Sequence, residues 1–134
     1  MAATPDYLGA KNSKCTIITD ADTTSDVVIF TAGANGARVH LASVSTDATT
    51  PSVQLKKSDG TTTCILGTFD IPTNAGRDGV VPAVDLLDAT LIPAIPADPG
   101  QFLTLGPNET LLLAALATIT AAMALHVVVD GIDY

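Results

Sequence analysis

Short β-prone runs separated by turn-forming residues set the pattern of this chain. The first three such runs occupy residues 15–19, 27–31 and 38–45. A polar stretch at residues 20–26 separates the first two runs. The glycines and asparagine at residues 33–36 tolerate positive φ and predict a tight turn before the third. Alternation within the third run predicts that Val39 and Leu41 share one face of a half-buried strand, with His40 on the other.

The strongest local prediction is a β-hairpin over residues 52–68. The dipeptide Asp59-Gly60 lies between two β-prone runs, which is a characteristic hairpin-turn signal. Alternation in the first run directs Val53 and Leu55 toward a core. This segment therefore predicts two adjacent antiparallel strands.

The middle of the chain is less regular. Residues 71–79 are loop-like, and residues 82–89 predict one short helix that begins near a permitted early proline. Three prolines in residues 91–100 exclude both a helix and a central strand there. Extended structure is expected to resume over residues 101–105.

The segment at residues 110–129 is open to two interpretations. Leu112, Leu116 and Ile119 begin a series with helical spacing. Three consecutive valines and the dipeptide Asp130-Gly131 instead favour a closing strand with a bulge or turn. We favour two antiparallel strands over one buried helix. Many short strands separated by turns then predict an all-β fold, an antiparallel β-sandwich that ends in a sheet.

Length and composition favour a single domain with a small-residue core. The 134 residues predict a flexible N-terminal arm at residues 1–14 and one sandwich domain at residues 15–134. Hydrophobic residues make up 47% of the chain, but there is no Trp and there are only two Tyr and three Phe. Because bases and sugars usually stack on exposed aromatic rings, such ligands are disfavoured.

The charge balance argues against nucleic-acid binding. Thirteen Asp and one Glu face six Lys and Arg, for a formal charge of −8. Nucleic-acid binding needs clustered cations, and only Lys56 and Lys57 are adjacent.

Residues 111–129 are long enough to span a membrane, but they include polar side chains and lack basic and aromatic flanks. Residues 1–14 contain no apolar run typical of a secretory signal.

No residue pattern supports nucleophilic catalysis, so the chain is expected not to be an enzyme. Neither Cys15 nor Cys64 lies in a recognisable nucleophile context, and their apolar or β-branched neighbours predict buried free thiols. A disulfide between them remains the alternative. His40 and His126 are the only histidines, and both are expected to be structural strand residues.

A metal site is the best of the weak site hypotheses. Asp20, Asp22 and Asp26 place three carboxylates within seven residues, and hard oxygen ligands suit Ca²⁺. The EF-hand pattern fails, however, because no glycine occupies the sharp-turn position and no glutamate closes the loop. We therefore expect a solvated turn and no bound cofactor. Lys56 and Lys57 are likewise expected to be an exposed basic pair.

Three segments give the chain a resemblance to a known class of proteins. They are residues 69–76 with 82–87, residues 103–113, and residues 124–134. In this style of sequence, the chain resembles small virion structural proteins of tailed bacteriophages, of the capsid decoration or cement type. None of the three segments is a catalytic motif.

The resemblance implies a jelly-roll-like sandwich that binds the outside of a phage head. The implied partners are other copies of the chain, commonly in a trimer, and the major capsid protein. The protein would be made in the host cytoplasm and reside on the virion surface. Alternatives are another virion component, such as a tail, head-completion or fibre-associated subunit, or a small Ca²⁺- or carbohydrate-binding β-module.

Overall fold

Nine β-strands and one 3-10 turn make up the regular structure of the described residues. The computed structural model describes residues 10–46, 52–88 and 102–134. The turn is at Asp20–Asp22. The strands are β1 (Lys11–Ile18), β2 (Val27–Thr31), β3 (Ala37–Thr46), β4 (Val53–Ser58), β5 (Thr63–Phe69), β6 (Val84–Asp85), β7 (Leu103–Leu105), β8 (Thr110–Ala115) and β9 (Leu125–Asp133).

The strands form two antiparallel sheets with jelly-roll topology. Sheet A has the order β1-β9-β3-β6, and β7 also pairs with β3. Sheet B has the order β2-β8-β4-β5. If β6 and β7 are counted as one position, each sheet has four positions and the chain passes between the sheets in the manner of two Greek keys. This arrangement confirms the predicted all-β, jelly-roll-like sandwich.

The core lies between the two sheets. Val39 and Val44 contribute from sheet A, and Val53 and Leu55 contribute from sheet B, all with no exposed surface. Val53 and Leu55 follow the period of two in the sequence, because successive side chains of a strand point to opposite faces, whereas a bulge between Val39 and Val44 shifts that period in β3. The inward direction predicted for Val53 and Leu55 is therefore confirmed.

The predicted helix at residues 82–89 is wrong for residues 82–88, which the structure describes. Val84 and Asp85 form β6, which pairs with β3. The Asp85 carboxylate accepts the backbone N–H of Leu87 at 2.9 Å, and the Leu86 N–H donates to the Ala42 carbonyl at 2.9 Å. A side chain that binds the backbone locally competes with helical hydrogen bonds, and it does so here.

The two C-terminal strands are confirmed, but they do not form a hairpin with each other. Strand β8 lies in sheet B between β2 and β4, whereas β9 lies in sheet A between β1 and β3. The connection at residues 116–124 crosses from one sheet to the other and buries Ile119. The apolar residues of β8 and β9 thus enter the core from opposite sheets.

The N-terminal strand begins earlier than predicted. Lys11 pairs with Ile132, and β1 continues to Ile18, so the expected flexible arm is wrong for residues 11–14. Residues 11–14 form a strand although they are polar, because they pair with β9. Residues 1–9 of the expected arm and the proline-rich segment at residues 91–100 lie outside the described residues.

A bulge in β3 accompanies the glycine of the closing strand. Val39 pairs with Gly131 and Leu41 with Asp130, so His40 is the extra residue. A Cβ at Gly131 would lie 2.8 Å from the Arg38 carbonyl oxygen and 3.0 Å from the Phe30 ring. The irregularity predicted near Asp130-Gly131 is therefore present, with its extra residue in the partner strand. Val39 is buried and His40 is exposed, whereas the side chain of Leu41, expected to share the face of Val39, lies outside what the structure describes.

Candidate functional site on the outer face of sheet B

The outer face of sheet B carries one ionisable side chain among the positions that strand register assigns to it. Residues paired across neighbouring strands lie on the same face, and the rows that alternate with these face sheet A, with their aliphatic residues Leu55, Leu113 and Val53 buried and the exposed Cys64 at one end. The outward rows are Val28, Leu112, Lys56 and Ile65; Thr31, Thr110, Ser58 and Thr63; and Ala114, Gln54 and Thr68. Hydroxyl, amide and aliphatic groups thus dominate this face.

The single lysine of this face is neutralised by an ion pair that crosses a strand. The Lys56 Nζ lies 2.8 Å from an Asp26 carboxylate oxygen. Lys56 is on β4 and Asp26 immediately precedes β2, so the pair spans the intervening strand β8. Leu112 and Ala114 on β8 are buried although they are not part of the core between the sheets. Lys56 pairs with Leu112 in register, so the ion pair passes over the strand that carries these two residues.

Three hydrophobic side chains remain exposed on or beside this face. Ile65 is 60% exposed, Leu116 49% and Val28 37%. They lie on β5, just after β8, and on β2, so they extend across the full width of the sheet. Exposed aliphatic groups without nearby unpaired charge are typical of a surface that associates with another protein.

The outer face of sheet A has a different character. Register places Lys11, Arg38, Asp85 and Asp130 there, and the Arg38 guanidinium lies 4.0 Å from the centre of the Phe102 ring. His126 is half-buried on the same face. Because desolvating charged groups is costly, this face is the poorer candidate for a large interface. We therefore take the outer face of sheet B as the candidate functional site.

The aspartates considered as metal ligands do not converge. The Asp22 carboxylate accepts the backbone N–H of Thr19 at 2.9 Å, and the Asp26 carboxylate binds Lys56. Asp20 is exposed at the start of the 3-10 turn. In residues 10–46, 52–88 and 102–134, no group of three His, Cys, Asp or Glu side chains could hold a metal ion.

The prediction of buried cysteines is wrong. Cys15 and Cys64 are both free and exposed, the first on β1 of sheet A and the second on β5 of sheet B. Both strands lie at the edge of their sheets, where hydrophobic neighbours in sequence do not imply burial. His126 is on a strand, as predicted, and His40 is exposed at the bulge of β3.

A recess of about 440 Å³ lies at the β4–β5 hairpin, where sequence reasoning placed an exposed basic pair. Its lining includes Lys57, Asp59, Cys64 and Glu109. Lys57 lies 3.3 Å from a Glu109 carboxylate oxygen, and the other Glu109 oxygen accepts the Gly106 N–H. Lys56 and Lys57 thus each form an ion pair with an acidic residue that immediately precedes another strand. The expectation of an exposed basic pair is wrong.

The acid groups of this recess are held by the backbone. The N–H groups of Thr62 and Thr61 donate to the Asp59 carboxylate at 2.8 and 2.9 Å. These two hydrogen bonds hold the pKa of Asp59 below its ordinary value. The bound carboxylates stabilise the turn, and this arrangement favours a structural role for them.

Comparisons with known proteins assign no family to this chain. No family model, no curated protein and no solved structure matches it. Within the described residues, no helix has the length and apolar character needed to cross a membrane.

Proposed function

We propose that this chain is a non-enzymatic structural protein of a tailed-bacteriophage particle. Its role is that of a capsid decoration or cement protein, which binds the outside of the head as an oligomer and stabilises the shell. The sequence resemblance at residues 69–76 with 82–87, 103–113 and 124–134 supports this role. The jelly-roll topology of the described strands agrees with the fold that the resemblance implies.

The observation that carries the proposal is the neutral outer face of sheet B. The chain has a formal charge of −8, yet Lys56 is the one ionisable residue among the positions that strand register assigns to this face, and Asp26 neutralises it. The remaining acidic groups keep the free subunit soluble, while the neutral face loses little on desolvation. A protein with this distribution is suited to adhesion through a broad surface.

The proposed partners are the major capsid protein and other copies of the chain. The trimer implied by the resemblance follows the closed symmetry that is usual for such assemblies. Aliphatic and hydroxyl groups on the sheet B face suit contact with a shell surface of similar polarity. The carboxylates at the β4–β5 recess bind backbone donors, which favours an adhesive over a catalytic role.

The proposal is tested by locating the protein on particles and then rebinding it. Gold-labelled antibodies against the chain should mark the heads of phage particles that carry its gene. Heads assembled without the protein should bind the purified chain and then resist heating better. We expect Val28→Asp to abolish rebinding, because it places a carboxylate on the sheet B face.

A matched variant separates the face from the charge change. Ile17→Asp introduces the same side chain on the outer face of sheet A, where Ile17 is 57% exposed. It should rebind as the wild type does, and circular dichroism should show that both variants keep their β content. Gold label on tails or fibres, or equal loss of rebinding by the two variants, would contradict the proposal.

A further inference from the structure

Three of the four sheet edges in the described residues are protected against pairing with another chain. Charges, short strands and covering side chains are the usual protection. In sheet A, β1 carries Lys11 and Lys14, and the opposite edge consists of β6 and β7, which have two and three residues. At the β2 edge of sheet B, the Lys14 Nζ donates to the Val28 carbonyl at 3.1 Å. The Asn12 Nδ2 donates to the Thr31 carbonyl of the same strand at 2.8 Å.

Strand β5 is the exception. Its seven residues, Thr63–Phe69, include no charged side chain and no proline. Among the described strands it pairs with β4 alone. A bulge at Leu66 interrupts the ladder to β4 but adds no charge to the edge. The side of β5 away from β4 therefore offers backbone donors and acceptors to a further strand, and addition of a strand to a sheet edge is a common mode of peptide binding.

Negative charge lies at both ends of this edge. Asp59 is in the turn that precedes β5 and Asp70 directly follows the strand, and both residues are exposed. Hydrogen bonds from the backbone lower the pKa of Asp59, so its carboxylate is ionised at neutral pH. The Ser52 hydroxyl donates to the Asp70 carboxylate. Antiparallel pairing of two β5 strands would bring these like charges together, so a second copy of the chain is a poor occupant.

The recess at the β4–β5 hairpin adds a place for a cation at the start of β5. Its lining includes Lys57, Asp59, Cys64 and Glu109, so its carboxylates outnumber its ammonium group by one. Cys64 pairs with Lys57 in register, and paired residues lie on the same face of a sheet. A residue opposite Cys64 in an added strand would lie on that face too. A lysine or arginine at this position would direct its charge toward the recess.

We infer that the β5 edge binds an extended segment of another protein, one that carries a lysine or arginine at each end and aliphatic side chains between them. The segment adds a strand to sheet B through backbone hydrogen bonds to β5. One cation lies at the recess and the other beside Asp70. An aliphatic residue between them packs on Ile65, which is 60% exposed. The net charge of −8 attracts such a segment, and the charges at the two ends of β5 fix its register.

This inference does not depend on a virion role. The variant that tests the role on phage heads, Val28→Asp, changes β2, which is at the opposite edge of sheet B from β5. Val28→Asp should therefore bind the extended segment as the wild type does, although it should not rebind heads. The two proposals fail separately, one in head rebinding and the other in peptide binding.

The first test is binding of a blocked, fluorescently labelled peptide, Lys-Val-Thr-Val-Thr-Val-Lys, which is as long as β5. Its sequence reads the same in both directions, so it can pair parallel or antiparallel. Fluorescence anisotropy should show that the full chain binds it, and binding should weaken as NaCl screens the attraction. The matched peptide with glutamate in place of both lysines should not bind. Failure of the lysine peptide to bind, or equal binding of the two peptides, would overturn the inference.

Two matched variants test the position of the bound lysine. Asp59→Asn keeps an acceptor oxygen in the turn but removes the charge, and it should weaken peptide binding by about two- to fivefold. Asp78 accepts the same pair of backbone hydrogen bonds in a different turn, so Asp78→Asn should leave binding unchanged. Equal weakening by both substitutions would show attraction by net charge alone and would overturn the inference.

Hydrogen exchange tests whether the peptide forms an added strand. With the peptide bound, backbone N–H groups of β5 should exchange more slowly, because some of them then donate to the peptide. Those of β1, an edge strand of the other sheet, should exchange at an unchanged rate. Peptide binding without slower exchange in β5 would overturn the inference, even if Asp59→Asn weakened that binding.

Discussion

Aspartate builds many of the turns in this protein. The carboxylates of Asp59, Asp78 and Asp85 each accept the backbone N–H of the residue two positions later, at 2.8 to 2.9 Å. The short aspartate side chain suits this geometry, which the longer glutamate side chain does not reproduce. Part of the excess of thirteen Asp over one Glu thus comes from turns, although composition alone shows it only as acidity.

These turns predict a loss of stability in acid. The N–H groups of Thr62 and Thr61 lower the pKa of Asp59, and those of Val81 and Val80 lower that of Asp78, from an ordinary value of 3.8. A carboxyl with a depressed pKa in the folded state stabilises the fold above its ordinary pKa and loses this effect as pH falls through the folded value. The urea concentration at which half of the wild type is unfolded should therefore decrease when the pH is lowered below about 4.

Substitution separates the hydrogen bonds from net charge. The double variant with Asp59→Asn and Asp78→Asn keeps an acceptor oxygen at each turn but cannot titrate, so its urea midpoint should fall less in acid. Asp20→Asn removes a carboxylate from a different exposed turn. If that control reduced the acid sensitivity as much per residue, general charge effects would explain it instead.

At the scale of elements, local signals located the strands well. The predicted run at residues 27–31 matches β2, and the hairpin signal at Asp59-Gly60 separates β4 from β5. Both signals depend on neighbours in sequence: alternation of side chains and turn chemistry. The existence of two strands within residues 110–129 and beyond was predictable for the same reason.

Partnership between strands was not predictable, because it depends on residues far apart in the chain. Pattern alone could not place β8 and β9 in opposite sheets, nor show that Cys15 and Cys64 lie on edges. The candidate site was hidden for the same reason. Its neutrality depends on Lys56 reaching across β8 to Asp26, a contact between residues 30 positions apart.

The glycine of the closing strand gives a test at this scale. Gly131→Ala should lower the free energy of unfolding by about 1–3 kcal/mol, because its Cβ would meet the Arg38 carbonyl oxygen and the Phe30 ring. Chemical denaturation measures this change. Val128→Ala, at a half-buried outward position of the same strand, is the control and should cost less. If the two substitutions lowered the free energy of unfolding equally, the groups around Gly131 would have to move aside without strain.

For the molecule as a whole, charge is distributed unevenly between the two sheets. Acidic and basic groups lie on the outer face of sheet A, whereas the outer face of sheet B has one internally paired lysine. The net charge of −8 therefore resists association through most surfaces and disfavours it least at the outer face of sheet B. Under the proposed function, solubility of the free subunit and adhesion of the assembled one are served by different parts of the surface.

This distribution predicts that salt strengthens assembly. The Debye length falls from about 10 Å at 0.1 M salt to about 3 Å at 1 M, so added NaCl weakens repulsion between copies. Contact through the outer face of sheet B uses aliphatic and hydroxyl groups such as Val28 and Thr110, which do not depend on screened attraction. Sedimentation should therefore show assembly at lower protein concentration as salt rises.

A double variant, Asp85→Asn with Asp130→Asn, should mimic salt at low ionic strength, since it removes two negative charges from the outer face of sheet A. Assembly that weakens as salt rises would instead show that ion pairs hold the copies together, and it would contradict a contact through the neutral face of sheet B.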